Sequence, residues 1–234
     1  MDQGGIDLKR EQQATLERPR YPYSSVTKGL VRGMDVFAGA ATTVVKAKIV
    51  ELLAPIPYRA WETREYARLS RHVADDALVR EADAVLRWGR EAQDKEYQHL
   101  RLIDAKLRED GVELPRRLSR PMPSLMAGSW ALASRTLSVA SLRRAFLLNA
   151  EAEDHAEHYY AELVGLHPEW EEQPATGAAV RDYGEFASWA DVFRRIGLDE
   201  RDHMNASFAF AGMPERIVEY EGMPPTPGQE PRTA

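Results

Sequence analysis

The sequence predicts an all-α chain built as a bundle of six helices, on three observations. Apolar residues recur at spacings of three and four almost throughout the 234 residues. Few segments alternate with the period of two that a half-buried strand requires. Gly and Pro gather in a few clusters, "ERPRYPYSS", "REDGVELPRRLSRPMPS", "GLHPEWEEQPATG" and "EGMPPTPGQEPRTA", which divide the periodic stretches. Helices are therefore expected near residues 26–48, 49–71, 74–109, 122–138, 140–165 and 187–211. An N-terminal arm over 1–25 precedes one domain over 26–213, and a Pro-rich tail over 214–234 follows it.

The first helix carries "MDVFAGAATTVV", rich in small and apolar residues and poor in charge. The second contains "KIVELLAPIPY", in which Glu51 is surrounded by Ile49, Val50, Leu52 and Leu53. Burying an unpaired carboxylate in such a context is costly, so a partner is expected. The third shows helical periodicity through Val79, Ala82, Leu86, Trp88 and Ala92, then "EAQDKEYQHL" with Glu96 three residues before His99. The fourth, "PMPSLMAGSWALASRTLSVASL", resembles the first in composition; the two are either closely packed core helices or a surface that dips into one leaflet. The fifth holds "NAEAEDHAEHYYAEL" and offers Glu151, Glu153 and Glu157; Glu153 and Glu157 share a face, and spacing alone does not choose among the three. The sixth repeats the earlier pair in "GLDERDHMNASF", with Glu200 three residues before His203.

Composition narrows the chemistry. With 44% hydrophobic and 29% charged residues, the chain suits a globular domain with a sizeable core. Its net charge of −6, with both signs interspersed, provides no continuous basic face for nucleic acid. The absence of cysteine excludes disulfides, thiol catalysis and thiolate metal sites, so any metal must be held by oxygen and nitrogen. The opening residues lack the apolar stretch of a secretory signal and are too acidic for a transit peptide, which predicts a cytoplasmic protein. No run of 18 apolar residues predicts a membrane span, although peripheral binding at the cytoplasmic membrane face stays open.

Residues three apart on a helix lie on one face, about 5–6 Å from each other, close enough to hold one ion. Chance placement of 23 Glu and six His supplies about 0.6 Glu-x-x-His pairs, and the chain has two, each inside a long predicted helix. A four-helix bundle that binds two metals takes Glu-x-x-His from two helices and one Glu from each of the other two. Four inward carboxylates repel one another, whereas two divalent cations bring four glutamates and two neutral imidazoles to zero charge. Mixed carboxylate and imidazole donors suit iron or manganese, and iron if dioxygen is the substrate.

In the order Glu, Glu-x-x-His, Glu, Glu-x-x-His, residues 26–210 resemble the alternative oxidases, membrane-surface di-iron quinol oxidases that include the plastid terminal oxidases. "ELLAPIPY" is similar to the first motif of that family at Glu51, Ala54 and Pro57, and "EYQHL" to its Glu-Arg-Met-His-Leu at Glu96, His99 and Leu100. "EDHAEHYY" matches at Glu153, Ala156, His158 and Tyr160, "DERDH" at Asp199, Glu200 and His203, and "RDYGEF" at Asp182 and Tyr183.

The resemblance implies a ferritin-like four-helix bundle with two additional helices. It implies two iron ions held by Glu51, Glu96, His99, Glu153, Glu200 and His203, with Glu153 taken from the three candidates of the fifth helix. Tyr160, seven residues beyond Glu153 on the same face, would be the residue implicated in oxygen activation. Asp199 is expected to accept a hydrogen bond from the distal nitrogen of a ligand histidine. The implied reaction reduces dioxygen to water with electrons from a quinol, on a monotopic protein bound to one membrane face; a homodimer is compatible with it. Lys95, His155 and Glu157 depart from the family, which has Asn, a second carboxylate and an aliphatic residue at those places. The competing expectations are a soluble di-iron oxygenase or hydroxylase acting on another organic substrate, and an iron-binding helical bundle without turnover.

Overall fold

The computed structural model describes residues 5–71, 76–119 and 122–227, and among these it is helical with no strand. Positions 1–4, 74–75, 121 and 228–234 of the expected segments lie outside the described residues. The helices are α1 (Leu8–Glu17), α2 (Ser25–Ala38), α3 (Val44–Leu53), α4 (Pro55–Leu69), α5 (Asp76–Glu109), α6 (Arg116–Ser119), α7 (Met122–Ala140), α8 (Leu142–Leu166), α9 (Ala178–Tyr183) and α10 (Trp189–Phe210).

Two expected boundaries are corrected. The helix read over 26–48 is divided, because Gly39 ends α2 at φ +97° and Thr43 caps α3 by accepting from the Lys46 N–H at 3.2 Å. The helix read from residue 49 starts instead at Val44 and breaks at Ala54, which links α3 to α4. Pro55 has no N–H to offer the Glu51 carbonyl four residues back, and its ring crowds that carbonyl. Ser141 and Ser188 cap α8 and α10 in the same way as Thr43, with side chains 3.4 and 3.2 Å from the N–H groups of Arg144 and Asp191.

The arm and the tail also fold against the domain. Residues 8–17 of the expected arm form α1, capped by Asp7 and packed on α8 and α10. The described part of the tail is pinned to α10, where Asn205 exchanges hydrogen bonds of 2.8 and 2.9 Å with the backbone of Val218. Neither segment carries much apolar periodicity, and both are held chiefly by polar side chains, which is why pattern reading leaves them as loose ends.

The core comprises α5, α8, α10 and the broken α3–α4 rod, with α8 and α10 forming the most extensive helix pair. α2 lies on α3 and α8, and α7 covers α4 and α8. At one end Leu102 and Ile103 pack with Tyr160, Leu163, Phe193 and Ile196. At the other, Tyr58 and Trp61 pack with Val85, Trp88 and Phe146. Each core helix passes from one apolar cluster to the other, and the residues between them are polar: Glu51, Glu96 with His99, Glu153, and Glu200 with His203. That polar layer at mid-height is enclosed by hydrophobic packing on both sides.

Candidate metal centre

The structure brings all six residues together, and none is more than 6% exposed. They fall into two groups whose donor atoms lie within 4.8 Å of one another: Glu51, Glu96, His99 and Glu200 in one, and Glu96, Glu153, Glu200 and His203 in the other. Glu96 and Glu200 belong to both. The Glu96 Oε2 lies 3.6 Å from His99 Nδ1 and its Oε1 lies 2.9 Å from His203 Nδ1. Glu200 Oε1 stands 3.2 Å from His99 Nδ1 and its Oε2 3.6 Å from His203 Nδ1. The two groups thus share two carboxylates, with Glu51 and His99 belonging to one and Glu153 and His203 to the other.

Both oxygens of Glu96 and of Glu200, Glu51 Oε2, and Nδ1 of His99 and His203 are buried without a hydrogen-bond partner. Unsatisfied polar atoms cost stability, and so many acceptors facing one region are an arrangement that a bound cation satisfies. The electrostatics agree. Burial pushes the Glu51 carboxyl well above its usual range, helped by Glu96 and Glu200, and burial does the same to Glu153 beside Glu200 and Glu96. Burial also opposes charge on Glu96, but the neighbouring His203 and His99 rings outweigh it and hold that carboxyl below its usual range. Burial opposes charge on His99 as well, yet Tyr183, Asp199, Glu200 and Glu51 raise its ring well above the usual imidazole value; Glu200 and Glu96 do so for His203. Positive charge is drawn into this layer, as protons or as metal. The donors fit two divalent cations in number, type and summed charge.

A second set of residues orients these donors. His99 Nε2 donates to Asp199 Oδ2 at 3.1 Å, the contact expected of Asp199. Asp199 also receives the Tyr183 hydroxyl and the Arg195 guanidinium, with the Lys95 ammonium 3.8 Å away. Burial would raise the Asp199 carboxyl, but Arg195, His99 and Lys95 hold it well below its usual range. Asp182, matched beside Tyr183, lies outside this network and pairs with Arg101 at the surface.

Tyr160 is fully buried, and its hydroxyl donates to Glu51. Tyr160 thus faces the cluster from the Glu153 helix, as expected, and the carboxylate its hydroxyl meets is Glu51 of α3. Glu153 is served by a different tyrosine, absent from the sequence reading. Tyr58 donates to Glu153 Oε1 at 2.7 Å, and Asn149 donates to the same oxygen at 2.9 Å. Asn149, one turn before Glu153, was detectable from its i, i+4 spacing. Tyr58 stands seven residues beyond Glu51, two turns along the same face of the α3–α4 rod, so its inward direction follows from spacing.

Glu157 was expected on the metal-facing side, and the structure places it elsewhere. Its Oε1 accepts from Thr15 at 2.7 Å and from Arg201 at 2.8 Å, and its Oε2 accepts from Arg18 at 2.6 Å. A four-residue step advances 40° around a helix, which carries Glu157 past the centre to meet α1. His158 is likewise structural, bonded to the carbonyls of Asp154 and Arg18 at 2.8 and 2.9 Å. Glu151 caps the start of α2 through Ser24 and Thr27, so Glu153 is the α8 carboxylate that reaches the centre.

One largely apolar cavity touches the centre. It opens between α2, α3, α7 and α8, and Glu153 forms part of its wall beside Asn149 and His155. Burial lowers the His155 imidazole to about 4, so the ring is neutral at pH 7. No family model matches the chain, and no curated protein matches it.

Proposed function

We propose that the protein is a di-iron oxidase that reduces dioxygen to water with electrons from a quinol. The observation that carries this reading is the pair of Glu/His groups sharing Glu96 and Glu200, with their unpartnered donor atoms facing one another. The reaction consumes two quinols per dioxygen and yields two waters and two quinones, so four electrons and four protons are transferred. Two iron ions held by the six residues supply one-electron redox chemistry toward dioxygen.

The remaining roles belong to the chain. Glu96 and Glu200 present one oxygen to each half of the centre, so both halves respond to a shift of either carboxylate. Asp199 fixes the tautomer and orientation of His99. Tyr58 and Asn149 hold Glu153 in place. Tyr160 keeps a phenolic proton on Glu51, inside the layer, where it can supply a proton and an electron. Its burial raises the hydroxyl well above its usual range, as do Glu51 and Glu200, so it is protonated at rest. The aromatic and aliphatic clusters above and below exclude bulk water.

Quinols with long tails stay in lipid, so the oxidase reading needs a way to reach a bilayer. Among the described residues no helix is long and apolar enough to cross a membrane. α7 exposes Leu125, Leu132 and Val139, and α2 exposes Val36 and Phe37. These helices also wall the apolar cavity, which supports a monotopic protein that takes substrate from one leaflet. The test is metal analysis together with dioxygen consumption on a short-chain hydroquinone. About two irons per chain and consumption of one dioxygen per two hydroquinones are expected; iron-loaded protein that leaves hydroquinone unoxidised would overturn the reading.

A further inference from the structure

The cavity beside Glu153 has a polar wall group without a partner. His155 is 8% exposed, and both of its ring nitrogens are buried with no hydrogen bond. The other polar residues of that wall are engaged: Thr27 with Glu151, Asn149 with Tyr58, Glu153 and Ser207, and Glu153 with Tyr58. Around His155 the surface is apolar, made by Val31, Met34, Leu53 and Trp130 among others. A buried polar group left unpaired is costly, and a ligand that pairs it recovers the loss.

We infer that His155 is the hydrogen-bonding residue that selects a hydroquinone ring in this cavity, an assignment that rests on the quinol reading above. The chemistry is specific. Imidazole in its ordinary form at pH 7 is mostly uncharged and carries one N–H donor and one bare nitrogen. The bare nitrogen accepts from the hydroxyl of a hydroquinone, and the N–H donates to the carbonyl of the corresponding quinone. One side chain therefore fits both the reduced substrate and the oxidised product, while the apolar wall fits a ring and its tail. An alkylbenzene of the same size satisfies the wall and leaves the imidazole unpaired. A carboxylate at this position could accept from the hydroxyl but could not donate to the quinone.

The test is equilibrium binding to iron-loaded protein without dioxygen, followed by tryptophan fluorescence, with a short-chain alkyl hydroquinone and the matching alkylbenzene. Wild-type protein should prefer the hydroquinone by about tenfold, as expected for one buried hydrogen bond. His155→Phe should weaken hydroquinone binding by about tenfold and leave alkylbenzene within about twofold, with iron content unchanged. His155→Leu carries the same expectation should the bulkier ring disturb the fold, and His155→Gln should restore part of the preference. Hydroquinone binding as tight in His155→Phe and His155→Leu as in wild type overturns the assignment, as does the lack of any preference in wild type. Dioxygen consumption separates the two readings. A His155-dependent preference in a protein that consumes no dioxygen removes the oxidase and keeps the binding site; normal consumption with unchanged affinity in both variants does the reverse.

Discussion

His99 Nε2 stands 3.1 Å from Asp199 Oδ2, and this contact turns Nδ1 of the same ring toward Glu51 and Glu200 at 3.4 and 3.2 Å. The two residues are 100 positions apart and come from α5 and α10. Asp199 adjoins Glu200, so one turn of α10 supplies both a donor to the centre and the group that orients its neighbour. Asp199 is itself fixed by Tyr183 and Arg195, which leaves the imidazole little rotational freedom.

Asp199→Asn should therefore lower metal affinity while preserving all six donors. The amide retains the shape but loses the charge that holds the Nε2 proton in place. Disruption of such a contact typically costs 10–100-fold in affinity. Competition with a chelator measures it, and an affinity equal to wild type would remove Asp199 from any role at the centre.

The two shared carboxylates make a distinctive prediction about stoichiometry. Glu96→Ala or Glu200→Ala strips an oxygen from both ion positions, so each variant should lose most of its iron. Glu153→Ala strips one position, which His203, Glu96 and Glu200 still surround, and should retain close to half of the wild-type content. Elemental analysis of the purified variants decides. Full iron content in both Glu96→Ala and Glu200→Ala would sink the ligand assignment.

Tyr160→Phe removes the hydroxyl that meets Glu51 and retains the ring packed against Phe193 at a centroid distance of 6.2 Å. Iron content should stay near normal and hydroquinone oxidation should fall at least tenfold, as the loss of a positioned proton donor implies. Steady-state dioxygen uptake with parallel iron analysis is the measurement. Turnover equal to wild type would show that the hydroxyl takes no part in the chemistry.

Much of this centre was legible because its chemistry is written as spacing. Glu96 with His99 and Glu200 with His203 stand out as repeated pairs, and Glu51 stands out as a carboxylate among aliphatic residues. Periodicity similarly revealed α5, α8 and α10 to within a few residues. Tyr58 stands seven residues beyond Glu51 on the same face, but nothing in the spacing says that its hydroxyl meets Glu153 of another helix, and that pairing was illegible. Glu157 was misread because a shared helix face is about 100° wide or more, and only the arginines arriving from α1 and α10 decide which way a residue on that face points. The helix α1 escaped detection because its buried side chains are Glu11 and Thr15, polar residues that look solvent-facing in sequence.

That buried polar clasp is itself testable. Arg201 is 2% exposed and bonds Glu157, Glu11 and Thr15 at 2.8, 2.6 and 2.8 Å. Arg201→Met leaves one buried oxygen of Glu11 and one of Glu157 without a cation, while Arg10 and Arg18 keep the others, and should destabilise the fold by about 3 kcal/mol. The double variant Arg201→Met with Glu157→Met should recover much of that loss, since paired removal leaves fewer orphaned charges. Denaturant unfolding compares them; a single variant within about 0.5 kcal/mol of wild type would mean that the clasp contributes nothing to stability.

The apolar face of α7 offers the sharpest test of how substrate reaches the centre. Leu125, Leu132 and Val139 are 65%, 70% and 78% exposed, and their steps of seven place them along one stripe. Met126 and Trp130, in the same helix, pack instead on the core cluster of Met34, Ile49 and Leu53. Burying each exposed Leu or Val in lipid contributes about 1.5–3 kcal/mol, enough in combination to hold a surface helix. Leu125→Glu, Leu132→Glu and Val139→Ser together should abolish co-sedimentation with liposomes and leave iron content and thermal stability close to wild type. Met126→Glu with Trp130→Gln should instead lower stability, because those side chains are part of the fold. Wild-type protein that stays wholly in solution with liposomes present would count against the quinol oxidase and favour a di-iron oxygenase acting on a water-soluble substrate.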